Sequence, residues 1–220
     1  MDNDSIILQT HDLTVEREDR VVLEDVNFCV RRGEFLALTG PNGGGKTTLT
    51  LTLLGLLKPA SGYVEWGKKK DGKPLNIGYM PQTGQIDSRF PITVREVVAM
   101  GLRKPNRAEV DKMLESASLT ALANRGIGEL SGGELRRTLL ARAIIGNPDV
   151  VVLDEPLNSL DSKSAAKVAD LLRDLREKGV TVIIATHNTH IVHDLATRHI
   201  RVSRRLEECH HVISEECDMG

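Results

Sequence analysis

The sequence predicts an α/β fold, a mostly parallel sheet covered by helices, from three features of the 220-residue chain. Short β-branched runs alternate with amphipathic stretches, which is typical of parallel strands joined by helical crossovers. Three runs are short, apolar and bounded by turn residues, as buried strands are: 35–39, 150–153 and 180–186. The chain is also long enough for one large domain with a sizeable core.

Composition and charge exclude several classes of protein. A formal net charge of −2 provides no global basic field, so we expect no nucleic-acid partner. The cysteines (Cys29, Cys209 and Cys217) lack the spacing of a disulfide framework, which suits a reducing compartment. The N-terminus is acidic where a secretory signal is basic, and no apolar run approaches about 18 residues. We therefore expect a cytoplasmic protein, with any membrane-embedded part on another chain.

Helical spacing of apolar residues predicts five helices, and Gly179 is a stop signal for the last of them. The region 83–145 shows no convincing strand, so we interpret it as a helical subdomain inserted into a core of about 1–82 and 146–202. A tail at 203–220 completes a single domain of residues 1–220. Four lysines around Asp71 and Gly72 indicate a solvated hairpin turn. The predicted helices span 48–56, 94–102, 108–117, 134–145 and 162–178.

A phosphate loop (residues 40–47) follows the first predicted strand and leads into a helix. Its glycines allow consecutive backbone N–H groups to converge on phosphate oxygens, and the helix N-terminus adds the favourable end of its dipole. Lys46 adds a charge for the terminal phosphates, and the Thr47 hydroxyl can bind Mg²⁺. The sequence therefore predicts an ATP site with these residues: Gly40, Pro41, Asn42, Gly43, Gly44, Gly45, Lys46, Thr47 and Thr48.

Two adjacent acids, Asp154 and Glu155, end the strand predicted at 150–153. Ligands of open α/β sheets lie at the carboxyl ends of the strands. Asp154 is therefore a candidate for the Mg²⁺ shell, and Glu155 for polarising the water that attacks the γ-phosphate. The alternative, an acidic turn that merely ends a strand, is the weaker interpretation beside a phosphate loop.

A second glycine-rich segment, the signature segment (residues 130–134), directly precedes an amphipathic stretch. Ser131 and Glu134 have the spacing of a capping box, so a well-capped helix alone would explain them. Gly132 and Gly133 can also free backbone N–H groups for a phosphate. A second phosphate-binding segment is useful if it completes a site on a neighbouring molecule.

These motifs, in this order, resemble the ATP-binding subunit of an ABC transporter over roughly residues 6–202. The resemblance implies a P-loop NTPase core and a head-to-tail homodimer that holds two ATP molecules. It implies that Gln82 reaches Mg²⁺ and senses a membrane partner, and that residues 131–133 close on ATP of the opposite subunit. It places Asp161, in the run 159–161, in a loop that communicates across the dimer. His187 becomes a switch residue at the γ-phosphate, near Glu155.

Two positions depart from the family pattern. The signature usually ends in Gln, and Glu134 adds a negative charge near the bound phosphates. An aromatic residue usually stacks on adenine where this chain has Arg17; a guanidinium can also stack on a base, and a solvated arginine is an equally good interpretation.

Two histidine groups raise the question of a metal site. We reject zinc for His187, His190 and His193, because their spacing drifts across a helix face and no further ligands support it. The tail residues Cys209, His210, His211 and Cys217 could bind a soft metal, but a disordered charged tail is the favoured interpretation.

The segment 90–101, with its lead-in 85–89, is similar to that of importers of zinc, manganese or iron, and also of iron chelates and cobalamin. We favour the metal-ion group, with a separate transmembrane permease, an extracytoplasmic substrate-binding protein, and a location at the inner face of the membrane. An exporter, a soluble ABC protein and a non-catalytic binding module are the alternatives. Val94, Val97 and Val98 form one inward stripe, which leaves Phe90, Ile92 and Met100 as candidates for a docking surface.

Overall fold

The computed structural model describes residues 6–82, 90–104, 106–158, 160–187, 192–204 and 211–214, the last segment and 203–204 by their backbone only. The chain forms two compact units: Met1–Leu75 with Ile183–Gly220, and Asn76–Val182. The division into a core and an inserted helical subdomain that the sequence suggests stays a prediction.

The first unit contains a mostly antiparallel sheet that the sequence analysis did not anticipate. Its centre is a hairpin of β1 (Ile6–Arg17) and β2 (Arg20–Arg31), and β4 (Ser61–Trp66) pairs with the other edge of β1. Beyond β2 lie β10 (His211–Ser214), parallel to it, and then β9 (Ser203–Arg204). The strand order is thus β4-β1-β2-β10-β9.

The first unit also contains the strand that leads into the phosphate loop. This strand, β3 (Phe35–Thr39), is apolar and buried except at its last residue. It pairs in parallel with β8 (Arg198–Arg201), and Thr39 lies opposite Arg201. The carboxyl ends of both strands therefore lie at one edge, where α1 (Lys46–Leu53) follows the loop.

In the second unit, β5 (Ile77–Met80) pairs in parallel with the fully buried β6 (Val150–Asp154). Between them in the chain, the described residues from 90 onward form helices, 3₁₀ turns and an isolated bridge from Thr93 to Gly126. The buried strand β7 (Thr181–Thr186) carries the chain from the second unit into the first. The helices of this unit are α2 (Val94–Ala99), α3 (Arg107–Ser116), α4 (Gly132–Ile144) and α5 (Ser162–Glu177).

The predicted helices are all present, but several of their ends were wrong. The first begins at Lys46 and ends at Leu53, because Gly55 takes a positive φ of 69° and stops it three residues early. The second ends at Ala99 rather than at residue 102. The fourth begins at Gly132, two residues earlier than predicted, because Ser131 caps it. The strand predicted at 150–153 includes Asp154, and that predicted from 180 begins one residue later.

Two local predictions are confirmed. Near Asp71, Lys68 forms an isolated antiparallel β-bridge with Pro74. The Lys73 ammonium pairs with the Asp71 carboxylate at 2.8 Å, as expected for a solvated hairpin turn. In α2, the stripe of Val94, Val97 and Val98 is buried. One feature was not anticipated: Cys29, buried in β2, is disulfide-bonded.

Candidate functional site

The phosphate loop lies between β3 and α1 in the first unit, as its sequence predicts. Gly45 is the residue before the helix and has a φ of 90°, a left-handed conformation that favours glycine. Gly40, with a φ of 147°, lies so close to Val202 that an added Cβ would stand 1.9 Å from the Val202 carbonyl oxygen. Glycine at position 40 therefore lets the loop lie directly against the chain that follows β8.

Lys46 is buried at the start of α1 and its ammonium group is held inside the loop. Its Nζ donates to the carbonyl oxygens of Gly40 at 3.0 Å and Pro41 at 2.9 Å. The N–H of Gly44 donates to the same Pro41 carbonyl at 3.0 Å. These bonds place a positive charge and a helix N-terminus on one short segment, the arrangement that binds phosphate anions. Thr47 is half-buried and Thr48 is buried in the first turn of the helix.

A cavity of about 450 Å³ opens beside the first residues of this loop. His187, which follows β7 directly, lines it and is exposed. Arg201, the last residue of β8, lines it as well. The structure thus brings the predicted switch histidine to the phosphate loop, together with a cation that the sequence analysis missed. No local motif marks Arg201, since only the pairing of β8 with β3 brings it there. The remaining lining residues are Thr39, Gly40 and Pro41.

In the second unit, the carboxylate pair lies at the end of β6. Asp154 is fully buried and Glu155 nearly so. Glu155 has a φ of 52°, which is uncommon for a residue other than glycine and is found repeatedly at functional sites. Asp154 also contributes, after burial, to raising the pKa of the Tyr79 hydroxyl to about 12.

The signature segment forms the predicted capping box at the start of α4. Ser131 accepts from the N–H of Glu134, while its own N–H and hydroxyl both donate to Glu134 Oε2 at 2.8 Å. These bonds hold the pKa of the Glu134 carboxyl below its usual value, so Glu134 is negatively charged at neutral pH. At Gly133 an added Cβ would stand 2.6 Å from the Ser164 hydroxyl, so α5 packs directly against this glycine.

Arg136, one turn into α4, is a second cation that the sequence analysis did not single out. Burial lowers the pKa of its guanidinium, and the negative charge of Glu155 opposes that shift. The described geometry therefore couples the helix of the signature segment to the carboxylate at the end of β6. From the sequence alone, an arginine within a capped helix would be taken for a surface residue. Only the packing of α4 shows that Arg136 interacts with Glu155.

The remaining predicted residues have mixed outcomes. Gln82 is exposed just after β5. Asp161 caps α5 by accepting from the Ser164 N–H at 2.9 Å, a bond that lowers the pKa of its carboxyl. Arg17 is exposed at the end of β1. His190, Ser159, the lead-in 85–89 and the tail residues Cys209, His210 and Cys217 lie outside the described residues, as does the side chain of His211.

The candidate docking residues flank α2, with Phe90 before the helix and Met100 directly after it. Phe90 and Met100 are 64% and 67% exposed, as predicted, whereas Ile92 is half-buried. Met100 lines a cavity of about 260 Å³ together with Tyr79 and Arg142, whose guanidinium donates to the Tyr79 carbonyl at 3.0 Å. A neighbouring cleft of about 790 Å³ is lined by exposed cations: Arg103, Lys104 and Arg107.

Known proteins are similar to this chain in sequence and in fold. Residues 23–158 match the ABC transporter family. A protein of Thermotoga maritima with the name "Probable metal transport system ATP-binding protein" is 39% identical over 209 residues, which cover 93% of this chain and 84% of the relative. The manganese transport ATP-binding protein MntB of Bacillus subtilis is 36% identical over 200 residues, 85% of this chain and 79% of the relative. The zinc import ATP-binding protein ZnuC of Cereibacter sphaeroides is 35% identical over 201 residues, 91% and 80% respectively.

Solved structures of ATP-binding cassettes are similar to this chain in fold. A metal-chelate type ABC transporter in an inward-facing conformation has a TM-score of 0.78 at 29% identity, over 96% of this chain and 83% of that one. A dimeric ATP-binding cassette in a post-hydrolysis state, with ADP and phosphate bound, has a TM-score of 0.76 at 26% identity, over 90% and 94%. The predicted P-loop α/β fold is confirmed, and the chain belongs to the ABC transporter family as an ATP-binding ATPase subunit.

Proposed function

We propose that this ATPase powers the import of a divalent metal ion, zinc, manganese or iron, through a separate membrane-embedded permease. The observation that carries the nucleotide part is the geometry of the phosphate loop, with the buried Lys46 at the N-terminus of α1. The metal part is supported by the relatives, whose names specify manganese transport and zinc import.

We assign ATP to the phosphate loop. The backbone N–H groups of residues 40–48 receive the phosphate oxygens, and Lys46 exchanges its bonds to the Gly40 and Pro41 carbonyls for the β- and γ-phosphates. This exchange needs no movement of α1, because only the end of a flexible side chain changes partner. His187 lines the adjoining cavity and is proposed to contact the γ-phosphate.

The donor set that we assign to Mg²⁺ consists of oxygens: the Thr47 hydroxyl, the Gln82 amide and the Asp154 carboxylate. Mg²⁺ prefers such ligands and usually binds through one or two carboxylates together with substrate phosphates. The Asp154 carboxylate is fully buried at the end of β6, and all three groups are oxygen donors of the kind that Mg²⁺ binds, so the residues fit the ion. Bound there, Mg²⁺ supplies charge neutralisation for the departing phosphate.

Glu155 is the proposed general base. Glu155 follows the buried Asp154 in the sequence, its backbone has a positive φ, and it lies close enough to Arg136 for their charges to interact. A carboxylate in this position can orient a water and accept its proton as the water attacks the γ-phosphate. Lys46 and His187 stabilise the charge that develops on the transferred phosphoryl group.

We further propose that two copies of the chain form a homodimer around two ATP molecules. The signature segment, Ser131, Gly132, Gly133 and Glu134, then contacts the ATP held by the phosphate loop of the opposite copy. The support is the position of this segment at the N-terminus of α4, where backbone N–H groups and the helix dipole favour an anion. A dimeric cassette with ADP and phosphate bound is among the similar solved structures.

The permease is proposed to contact the surface around Phe90 and Met100, whose exposed apolar side chains suit a short helix of another protein. None of the described helices is long and apolar enough to cross a bilayer. By analogy with the named transport relatives, we propose that the chain lies at the cytoplasmic face of the membrane, with an extracytoplasmic protein delivering the metal to the permease.

The test is reconstitution. A tagged chain should co-purify with a membrane protein. Vesicles containing both, with the metal-delivering protein outside, should take up one of Zn²⁺, Mn²⁺ or Fe²⁺ only when ATP is enclosed inside them. Uptake of a chelated metal instead of the free ion would support the iron-chelate alternative, which the metal-chelate type structure favours. ATP hydrolysis by a chain that recovers no membrane partner would overturn the transport proposal and leave a soluble ATPase.

A further inference from the structure

Arg201 occupies a position at the phosphate loop that no motif assigns. It is the last residue of β8 and lies opposite Thr39, the last residue before the loop. The Val202 N–H donates to the Thr39 carbonyl at 2.7 Å, and the Thr39 hydroxyl contacts the Ile200 carbonyl at 3.4 Å. These bonds anchor the backbone on both sides of Arg201, so its Cα is fixed relative to the loop.

The Arg201 side chain, unlike its anchored backbone, is exposed. Ile200 points into the core and is buried, whereas His199 and Arg201 are exposed on the opposite face of the strand. Arg201 lines the cavity of about 450 Å³ with Gly40, Pro41 and His187. Among the described residues no carboxylate forms an ion pair with it.

A guanidinium in this position suits a phosphate. Its planar donor fork binds phosphate oxygens in a bidentate manner. Within residues 40–47 of the sequence, Lys46 is the one cationic side chain. A second cation beside Gly40 and Pro41 therefore doubles the positive side-chain charge next to the loop, on the side where His187 lies.

We infer that Arg201 binds the terminal phosphate of ATP and sets the preference of this subunit for ATP over ADP. The inference rests on the proposed nucleotide site. A cation that reaches only the γ-phosphate contributes to the binding of ATP and nothing to that of ADP, whereas Lys46 contributes to both. Loss of Arg201 should therefore change the ratio of the two affinities rather than both equally.

The experiment is titration calorimetry on the full chain with two probes, the magnesium complexes of ADP and of the non-hydrolysable ATP analogue AMP-PNP. Arg201→Ala should weaken AMP-PNP binding about tenfold and leave ADP binding within about twofold. Arg201→Lys should recover part of the loss, since it restores the charge without the planar fork. His199→Ala is the matched control, because His199 is exposed on the same face of the same strand, and it should change neither affinity.

The possible failures are distinguishable. Equal weakening of both nucleotides, or an unchanged affinity for AMP-PNP, would overturn the role of Arg201 while leaving the phosphate loop intact. A wild-type chain that binds neither probe would instead overturn the proposed nucleotide site. If Arg201→Ala lowers the melting temperature of the chain, the affinities of Arg201→Lys for AMP-PNP and ADP are compared with those of wild type instead. The lysine keeps the charge and the aliphatic stem.

Discussion

The Ser131 hydroxyl donates to Glu134 Oε2 at 2.8 Å, so the serine proposed to face the partner's ATP is held by a carboxylate of its own helix. The backbone N–H of Ser131 donates to the same oxygen, also at 2.8 Å. This capping box stabilises the start of α4, but it also places a full negative charge beside the position proposed for the γ-phosphate.

Glu134→Gln should therefore strengthen the ATP-bound dimer. Glutamine at this position can also form a capping box, so α4 keeps its cap while one repulsive charge is removed. Removing about 1 kcal/mol of repulsion corresponds to a roughly fivefold tighter dimer. Size-exclusion chromatography with ATP, in a Glu155→Gln background that prevents turnover, measures the dimer fraction. A smaller dimer fraction than in the background alone would show that the charge of Glu134 helps rather than hinders closure.

Lys46→Ala should weaken the binding of ATP and ADP at least about tenfold, because it removes a charged donor aimed at the β- and γ-phosphates. Titration calorimetry measures both affinities. Lys58→Ala, which removes a lysine outside the loop, is the control and should bind as wild type. An unchanged affinity in Lys46→Ala would contradict the assignment of the phosphate loop.

Glu155→Gln should lower ATP turnover by about 10²–10⁴-fold and leave the affinity for ATP intact, because the carboxylate acts only in the chemical step. A phosphate-release assay at saturating ATP measures the turnover, and the variant should accumulate as an ATP-bound dimer. Substantial residual turnover would move the role of general base to another residue.

Ser131→Arg should block closure of the dimer while a monomer still binds ATP. Its effect on hydrolysis tests whether the signature segment acts across the dimer. Mixing Ser131→Arg with Lys46→Ala subunits can rebuild at most one intact composite site per heterodimer, so the mixture should recover part of the activity that both homodimers lack. Normal hydrolysis by Ser131→Arg alone would show that the serine does not act in trans.

Met100→Glu should leave the chain folded and able to bind ATP, yet abolish association with the permease and transport. Met100 is 67% exposed, so the substitution costs little in the isolated chain, whereas a buried carboxylate in an apolar interface is expensive. Leu56→Glu, the same change at a 64% exposed residue, is the matched control and should transport normally. Transport by Met100→Glu would place the docking surface elsewhere.

The motifs could be predicted from the sequence because each depends on residues that are neighbours in the chain. The phosphate loop, the capping box of Ser131 and Glu134, and the buried valine stripe of α2 all follow from spacings of a few residues. The end of α1 was predictable too, since Gly55 is a local stop signal that the sequence analysis overlooked.

Only the tertiary structure decided the contacts between residues that are distant in the chain. Arg201 reaches the phosphate loop only because β8 pairs in parallel with β3, and that register places Arg201 opposite Thr39. The coupling of Arg136 to Glu155 depends likewise on the packing of α4 in the second unit. Sequence periodicity specifies which face of an element is apolar, but strand pairing and helix packing specify which distant side chain lies beside a site, because those contacts are made only when the chain folds.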